Sequence, residues 1–420
     1  MGQWPTPWWL VVAVTERVVA QLPMFAKVLD PACGDGRWLV AAGQIRPDLK
    51  LFGTDLDPAA ISAARATLAS AGVTAELSVA DALADPSPLP DVELVVGNPP
   101  YVRPQNLPTA MRKDLWSRFA TATDKSDLYT CFVERSMATA PRTALVIPDT
   151  WLHMASFAAL RKAVLQAGCD GVYQLPKKSF DGATVNAVVL LTGPDGSLRA
   201  GTLSPDGWHE QGPLGISSDA WSLTGPLPEL AGTPLTEFVS IHMGVVCGDY
   251  PRYVHFGRSH ADDQPTCRGR DVSRWSIADR DEFVRYDPKD MLRRKPYVAP
   301  KHAGIFAVPQ KLVLAGASGT ELRAAMDTEQ RFPLDSCYVL LPKQPDLDLY
   351  AVLGFLLSAP IGSWYGARHR GARVKGVEVA RIPLPSAGWE AVAAAARAQD
   401  DEGLNTAVLA AYAAQSDGEG

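Results

Sequence analysis

Asn98-Pro99-Pro100-Tyr101 follows the mostly apolar stretch Val92 to Val96. Two prolines and an aromatic residue make a stiff corner after a strand, and that alone is an ordinary structural use. The same four residues also suit a demanding piece of chemistry. An amide or aminopurine nitrogen is a poor nucleophile because its lone pair is delocalised into the adjoining π system. A site that accepts hydrogen bonds from both of its N–H groups favours the pyramidal nitrogen, whose lone pair is free to attack. The Asn98 side-chain oxygen and the Pro99 carbonyl are two such acceptors, Pro100 locks the backbone that holds them, and Tyr101 offers a flat face for a planar substrate. A second group is Asp30-Pro31-Ala32-Cys33-Gly34-Asp35-Gly36. Its glycines let a backbone approach a ligand closely, and a helix starting after Gly36 presents free N–H groups. About 20 residues on stands Asp55, spaced as an acid that bonds ribose hydroxyls. Asp81 follows. Singly, each acid is an ordinary helix cap; together, at successive strand ends, they point to a nucleoside cofactor.

These groups need strands that end where the chemistry begins. Lys27-Val28-Leu29-Asp30 predicts a short strand, then the glycine turn, then a helix from about Arg37. Leu51 to Asp55 predicts the next strand, and Pro58 opens an alanine-rich helix to about Ala71, proline being favoured at a first helical position. Thr74 to Val79, Val92 to Val96, Thr143 to Pro148 and Val185 to Leu191 predict further strands. Strands alternating with helices imply an α/β fold with right-handed crossovers and a mostly parallel sheet, whose ligands sit at the carboxyl ends of the strands.

From Ala200 to Pro234 there is no Lys or Arg, and Gly, Pro, Ser and Asp are plentiful. The expected organisation is therefore a first domain over 1–199, a loosely structured linker over 200–234, and a second domain over 235–420. Arg252 to Lys301 reverses the balance with twelve basic and eight acidic residues, and Arg368 to Lys375 adds a second basic cluster. Most charge runs are solvated surface, but in a chain of net charge -6 a local basic face is the expected footprint of a nucleic-acid partner. Trp389 to Ala414 reads as helical and Ser416 to Gly420 as a frayed tail.

Apolar residues at 47% and charged residues at 20% belong to a globular chain, and 420 residues suffice for two or three domains. The longest apolar run near the start, Trp8 to Val14, is too short to cross a bilayer, and no Lys or Arg precedes it as in a signal peptide. Six scattered cysteines without a Cys-x-x-Cys pair predict neither a zinc site nor a disulfide framework, hence no metal and a cytoplasmic setting.

Asp30 to Gly36 followed by Asn98-Pro99-Pro100-Tyr101 resembles the TaqI-type family of DNA adenine-N6 methyltransferases, whose first domain is a Rossmann-like class I methyltransferase fold and whose C-terminal domain recognises the target. The resemblance extends over most of the chain. Thr6 and Pro7 match the motif that contacts the methionine end of S-adenosylmethionine. Asp30, Ala32, Cys33, Gly34 and Gly36 match the cofactor loop, Asp55 the ribose-binding acid (often Glu in the family), and Asp81 the acid that accepts from the cofactor's adenine. Gln174 to Ser179 with Phe180, then Val185 to Val188, resembles the motif whose aromatic residue stacks the target base, which assigns Phe180; a core aromatic beside a strand is the alternative. Arg268 to Val272 and Leu312 to Ala315 resemble the target-recognition domain. The resemblance implies S-adenosylmethionine as cofactor, double-stranded DNA gripped through Arg268, Arg270, Arg370 and Arg373, a flipped-out adenine, and transfer with Asn98, Pro99, Pro100 and Tyr101 as catalytic residues. Restriction–modification or phage defence is the implied setting, with a separately encoded nuclease or defence proteins as partners. With the Thr-Pro motif beginning at residue 2, no room is expected in front of it for a fused nuclease. The absence of a Pro-Cys dipeptide excludes the cysteine nucleophile of C5-cytosine methylation, and N4-cytosine enzymes usually carry Ser in place of Asn98. The alternatives are a protein glutamine-N5 methyltransferase, an RNA adenine methyltransferase and a non-catalytic DNA-binding modification subunit.

Overall fold

The structure is a computed structural model that describes residues 5–416 apart from 88, 124, 178, 181–185, 219, 297, 299, 317–320 and 370–372. Two compact units emerge, Met1–Leu227 and Pro228–Gly420.

In the first unit, α1 (Trp8–Val19) precedes β1 (Lys27–Asp30), α2 (Arg37–Ile45), β2 (Lys50–Asp55), α3 (Pro58–Ser70), β3 (Glu76–Val79) and β4 (Leu94–Gly97). There follow α4 (Thr109–Arg118), α5 (Tyr129–Thr139), β5 (Arg142–Pro148), α6 (Ala158–Ala167), β6 (Cys169–Gln174), β7 (Ala187–Thr192), β8 (Arg199–Ser204) and β9 (Gly207–Pro213). The nine strands form one sheet in the order β3-β2-β1-β4-β5-β7-β6-β8-β9. Pairing is parallel from β3 through β5, whereas β7 runs antiparallel to both its neighbours and β9 antiparallel to β8.

The near-continuous apolar strands have a physical reason. Successive strand residues face opposite sides, and here both sides are buried. Val28, Leu94, Val96, Ala144 and Val146 pack toward residues of α1, α2 and α3, while Leu29, Val95, Leu145 and Ile147 pack toward α5 and α6. Sheets covered by helices on both faces read this way. The strand order reverses at β1, between β2 and β4, so the crevice for a ligand lies beyond Asp30 and Gly97.

Two expectations are corrected here. The stretch 200–234 is not a loose linker. Ala200 to Pro213 lies in the β8–β9 hairpin that completes the sheet, and Gly215–Ile216 pairs with Trp221–Ser222 in the same unit. The first unit therefore runs to Leu227 rather than 199. The segment was hard to see because β9 is a sheet edge, mostly exposed and polar. The helix expected over 389–414 is two helices, Trp389–Ala398 and Asp401–Ser416, broken at Gln399 with φ 54°.

The second unit contains a four-stranded antiparallel sheet in the order 239–243, 337–342, 311–315, 324–327, with the apolar helix Leu349–Leu357 in the core beside it. No single described helix is long and apolar enough to cross a membrane.

Candidate functional site

Three segments converge on a cavity of about 280 Å³ in the first unit. Pro5 and Thr6 come from the approach to α1; Ala32, Cys33, Gly34, Asp35, Arg37 and Trp38 from the turn after β1; Asn98, Pro99, Pro100 and Tyr101 from the turn after β4. The last two groups leave adjacent parallel strands, since Val28 pairs with Leu94 and Leu29 with Val95.

The glycine turn is held from behind. The Gly34 N–H donates to Asp55 Oδ2 at 3.0 Å, and the Cys33 N–H to the Thr54 carbonyl at 2.9 Å. Gly34 sits at φ 53°, and a Cβ there would meet no protein atom within 4 Å. Beneath the turn Asp30 is 1% exposed. Its Oδ1 accepts from the Ala32 N–H at 3.1 Å, and its Oδ2 has no hydrogen-bond partner among the described residues. Burial pushes its pKa up to about 8, only partly offset by the Ala32 hydrogen bond. Gly97 is required beside it, because a Cβ there would lie 2.8 Å from Asp30 Oδ1. Cys33 is buried, and burial raises its thiol pKa, so the group stays neutral and a weak nucleophile.

The Asn98 amide has a defined orientation, assigned from its hydrogen bonding: Nδ2 donates to Thr6 Oγ1 at 3.1 Å, which places the carbonyl oxygen at the other end of the amide. The Tyr101 hydroxyl donates to the Val146 carbonyl at 3.0 Å, and its ring meets the Tyr129 ring edge-on, with centroids 6.1 Å apart. Arg37 was missed in the sequence. Its guanidinium bonds the Asp35 carboxylate, holding that acid below the usual carboxylate range, and donates to the Thr6 carbonyl. One arginine thus ties the Thr-Pro segment to the glycine turn. The only signal for it was a basic residue at the first position of α2.

Other expected residues lie elsewhere. Pro7 is the residue before α1. Asp55 also accepts from the Asp57 N–H at 3.0 Å, and Asp81 from the Leu83 N–H at 2.9 Å; neither lines the cavity. Phe180, expected to stack a substrate, is 4% exposed and packs in the core cluster with Leu175 and Ala187. It is a core residue in this structure, because burying its ring there removes apolar surface from water. Arg268, expected to touch phosphates, is engaged by Glu282, with Nη2 2.6 Å from Oε1. Arg270 lies 3.8 Å from the buried Asp271, and Arg373 is exposed. Arg370 lies outside the described residues. No group of three or more metal-ligating side chains occurs among the described residues.

The donor set fits the cofactor expected from the sequence. Gly34 offers backbone against which a flat or extended ligand can lie. Asp30 offers a buried acceptor for a cationic group such as an amino-acid ammonium.

Residues 91–169 match the Eco57I restriction-modification methylase family, 264–384 the TaqI-like C-terminal specificity domain, and 28–114 the methyltransferase domain. The chain is 26% identical over 377 residues to a Type II methyltransferase of Thermus thermophilus, covering 84% of this chain and 83% of that protein. Over 81 residues it is 38% identical to the Type II methyltransferase M.XamI of Xanthomonas campestris pv. amaranthicola, covering 19% of this chain and 15% of that one. Among solved structures, the methyltransferase subunit of a type I restriction-modification system from Streptococcus thermophilus aligns over 46% of this chain and 45% of its own, at 21% identity and a TM-score of 0.41.

Proposed function

We propose that the chain, which matches the Eco57I methylase and TaqI-like specificity-domain families and resembles a Type II methyltransferase over most of its length, is a TaqI-type methyltransferase that methylates N6 of a flipped-out adenine at a specific site in duplex DNA. Its cofactor is S-adenosylmethionine, which when bound supplies a methyl group on a positively charged sulfur. The observation that carries the reading is the convergence of Thr6, the glycine turn and Asn98-Pro99-Pro100-Tyr101 on one cavity, with the Asn98 amide oriented by Thr6.

The residues divide the work as follows. Asn98 Oδ1 and the Pro99 carbonyl accept the two N6 hydrogens and so release the nitrogen lone pair for attack. Pro100 fixes their separation, and Tyr101, anchored through Val146, supplies the face against which the base lies. Asp30 and Gly34 would hold the amino-acid end of the cofactor, and Asp55 braces the turn that carries Gly34. No covalent enzyme intermediate is needed: Cys33, the thiol of the cavity, is held neutral. Positioning and preorganised acceptors do the catalysis. The target base cannot be reached within a duplex, and its extrusion costs a few kcal/mol, offset by stacking on Tyr101. A specificity domain matched over 264–384 supports DNA as the substrate, and a restriction–modification or phage-defence setting follows from that reading.

The test is to incubate unmodified genomic DNA with the protein and S-adenosylmethionine, digest it to nucleosides and weigh the products. N6-methyladenine is expected, and sequencing of the same DNA then gives the site. N4-methylcytosine would overturn the adenine assignment, and no methylated nucleoside would overturn DNA as substrate.

A further inference from the structure

The basic stretch of the second unit is largely engaged with its own carboxylates. Arg268 meets Glu282, Arg280 meets Asp271 at 2.5 Å, Arg285 meets Asp263 at 3.4 Å, and Arg294 meets Asp290 at 3.0 Å. In the first unit Arg103 differs. It follows Tyr101 by two residues, so its Cα lies within about 7.6 Å of the Cα of Tyr101. Its side chain is exposed, and among the described residues it makes no hydrogen bond or ion pair. Its charge acts on the partly buried Asp127, offsetting only in part the rise that burial gives that carboxyl. Its backbone, by contrast, is fixed. The Arg103 carbonyl accepts from the Asn106 N–H at 2.9 Å, the Val102 carbonyl accepts from the Leu128 N–H at 2.8 Å, and Pro104 is buried. A fixed backbone thus presents an exposed guanidinium, without a hydrogen bond or ion pair among the described residues, beside the turn that receives the base.

We propose that Arg103 binds a backbone phosphate next to the target adenine and holds the strand while the base is extruded. The inference rests on the DNA reading above. A guanidinium matches a phosphate with two parallel N–H donors. Extruding a nucleotide rotates its backbone, so a cation that grips the flanking phosphate favours the extruded state.

The experiment uses the full chain and a duplex carrying the modified site found by sequencing. Arg103→Gln should weaken duplex binding by about tenfold or more and reduce the slope of log affinity against log salt by about 0.9, and Arg103→Lys should restore most of that slope. One uncharged methylphosphonate beside the target adenine should weaken the wild type by a similar factor but leave Arg103→Gln no weaker than before. S-adenosylhomocysteine affinity should be the same in all three proteins. An unchanged salt slope, an additive loss with the methylphosphonate, or a parallel loss of S-adenosylhomocysteine affinity would overturn the role of Arg103 and leave the DNA reading standing. A wild type that shows no salt-dependent binding to any duplex would overturn both.

Discussion

Asp30 and Asp327 are both buried carboxylates, 1% and 0% exposed, yet the chain treats them in opposite ways. Asp327, in the second unit, is fully matched. Its Oδ2 lies 2.5 Å from Lys311 Nζ, its Oδ1 2.9 Å from Arg331 Nη1, and the N–H groups of Glu329 and Arg331 also donate to it. Burial alone would raise its pKa, but Lys311, Arg331 and the Glu329 N–H together outweigh that and hold it below the ordinary value. Asp30 has one backbone donor and a raised pKa. A buried charge that is matched from within serves the architecture. One left unmatched beneath the turn that lines a cavity is poised for charge that arrives with a ligand.

The contrast should be plainest in stability. Asp327→Ala leaves Lys311 and Arg331 without their partner and should destabilise the second unit by about 3–5 kcal/mol. Asp30→Asn should leave the stability of the cofactor-free protein unchanged or higher at pH 8. Urea denaturation of both variants decides, and a greater loss for Asp30→Asn would break the distinction. Phe180→Ala belongs with the first, with about 3–5 kcal/mol lost from the core and the methylation rate per folded enzyme unchanged.

Next come effects visible only with substrate. Asn98→Ala should lower single-turnover methylation by roughly 10²–10³, by analogy with loss of one preorganised oxyanion donor, while cofactor affinity and melting temperature hold. An unchanged rate would remove Asn98 from the acceptor pair.

A smaller effect is a pH dependence. The folded pKa of Asp30, about 8, exceeds its ordinary 3.8, so the folded protein keeps this proton where the unfolded chain has lost it. The stability contributed by Asp30 is complete below the ordinary carboxylate value and is lost as pH climbs toward 8. A cationic cofactor favours the ionised acid, so its binding should release a proton and tighten as pH rises to about 8. Calorimetric titration across that range should show the trend, and Asp30→Asn should flatten it. The smallest expected effect is that of Arg293, an exposed partner of Asp290 at the surface: Arg293→Ala should leave the melting temperature unmoved, as exposed ion pairs contribute little.

The turns after β1 and β4 were legible because glycine and proline restrict backbone geometry locally, and apolar runs ending at Asp30 and Gly97 set their place. Ion pairing was not legible in the same way. Arg268 and Glu282 stand fourteen residues apart, and only the pairing within the sheet 254–256, 282–285 and 263–265 brings such residues together. A count of basic residues therefore overstated the charge left for a partner. Phe180 failed for a related reason: an aromatic residue beside a strand looks the same in sequence whether it faces a cavity or the core. Arg37 went unnoticed because, besides its neighbour Asp35, it bonds the backbone carbonyl of Thr6, a link across the fold that no side-chain pattern records.

The reversed strand β7 bears on how the sheet assembles. It pairs antiparallel with both β5 and β6, so Pro148 at the end of β5 comes opposite Ala187 at the start of β7, on the side of the sheet that carries Asn98. Neighbours in sequence pair along this flank, as Ser204 does with Gly207 in β8–β9, whereas joining Val28 to Leu94 closes a long loop. Loop-closure entropy favours the short connections first. Pulse-labelled hydrogen exchange during refolding should therefore protect β6 to β9 before β1 and β4, making the seam that forms the cavity the last part of the sheet to close.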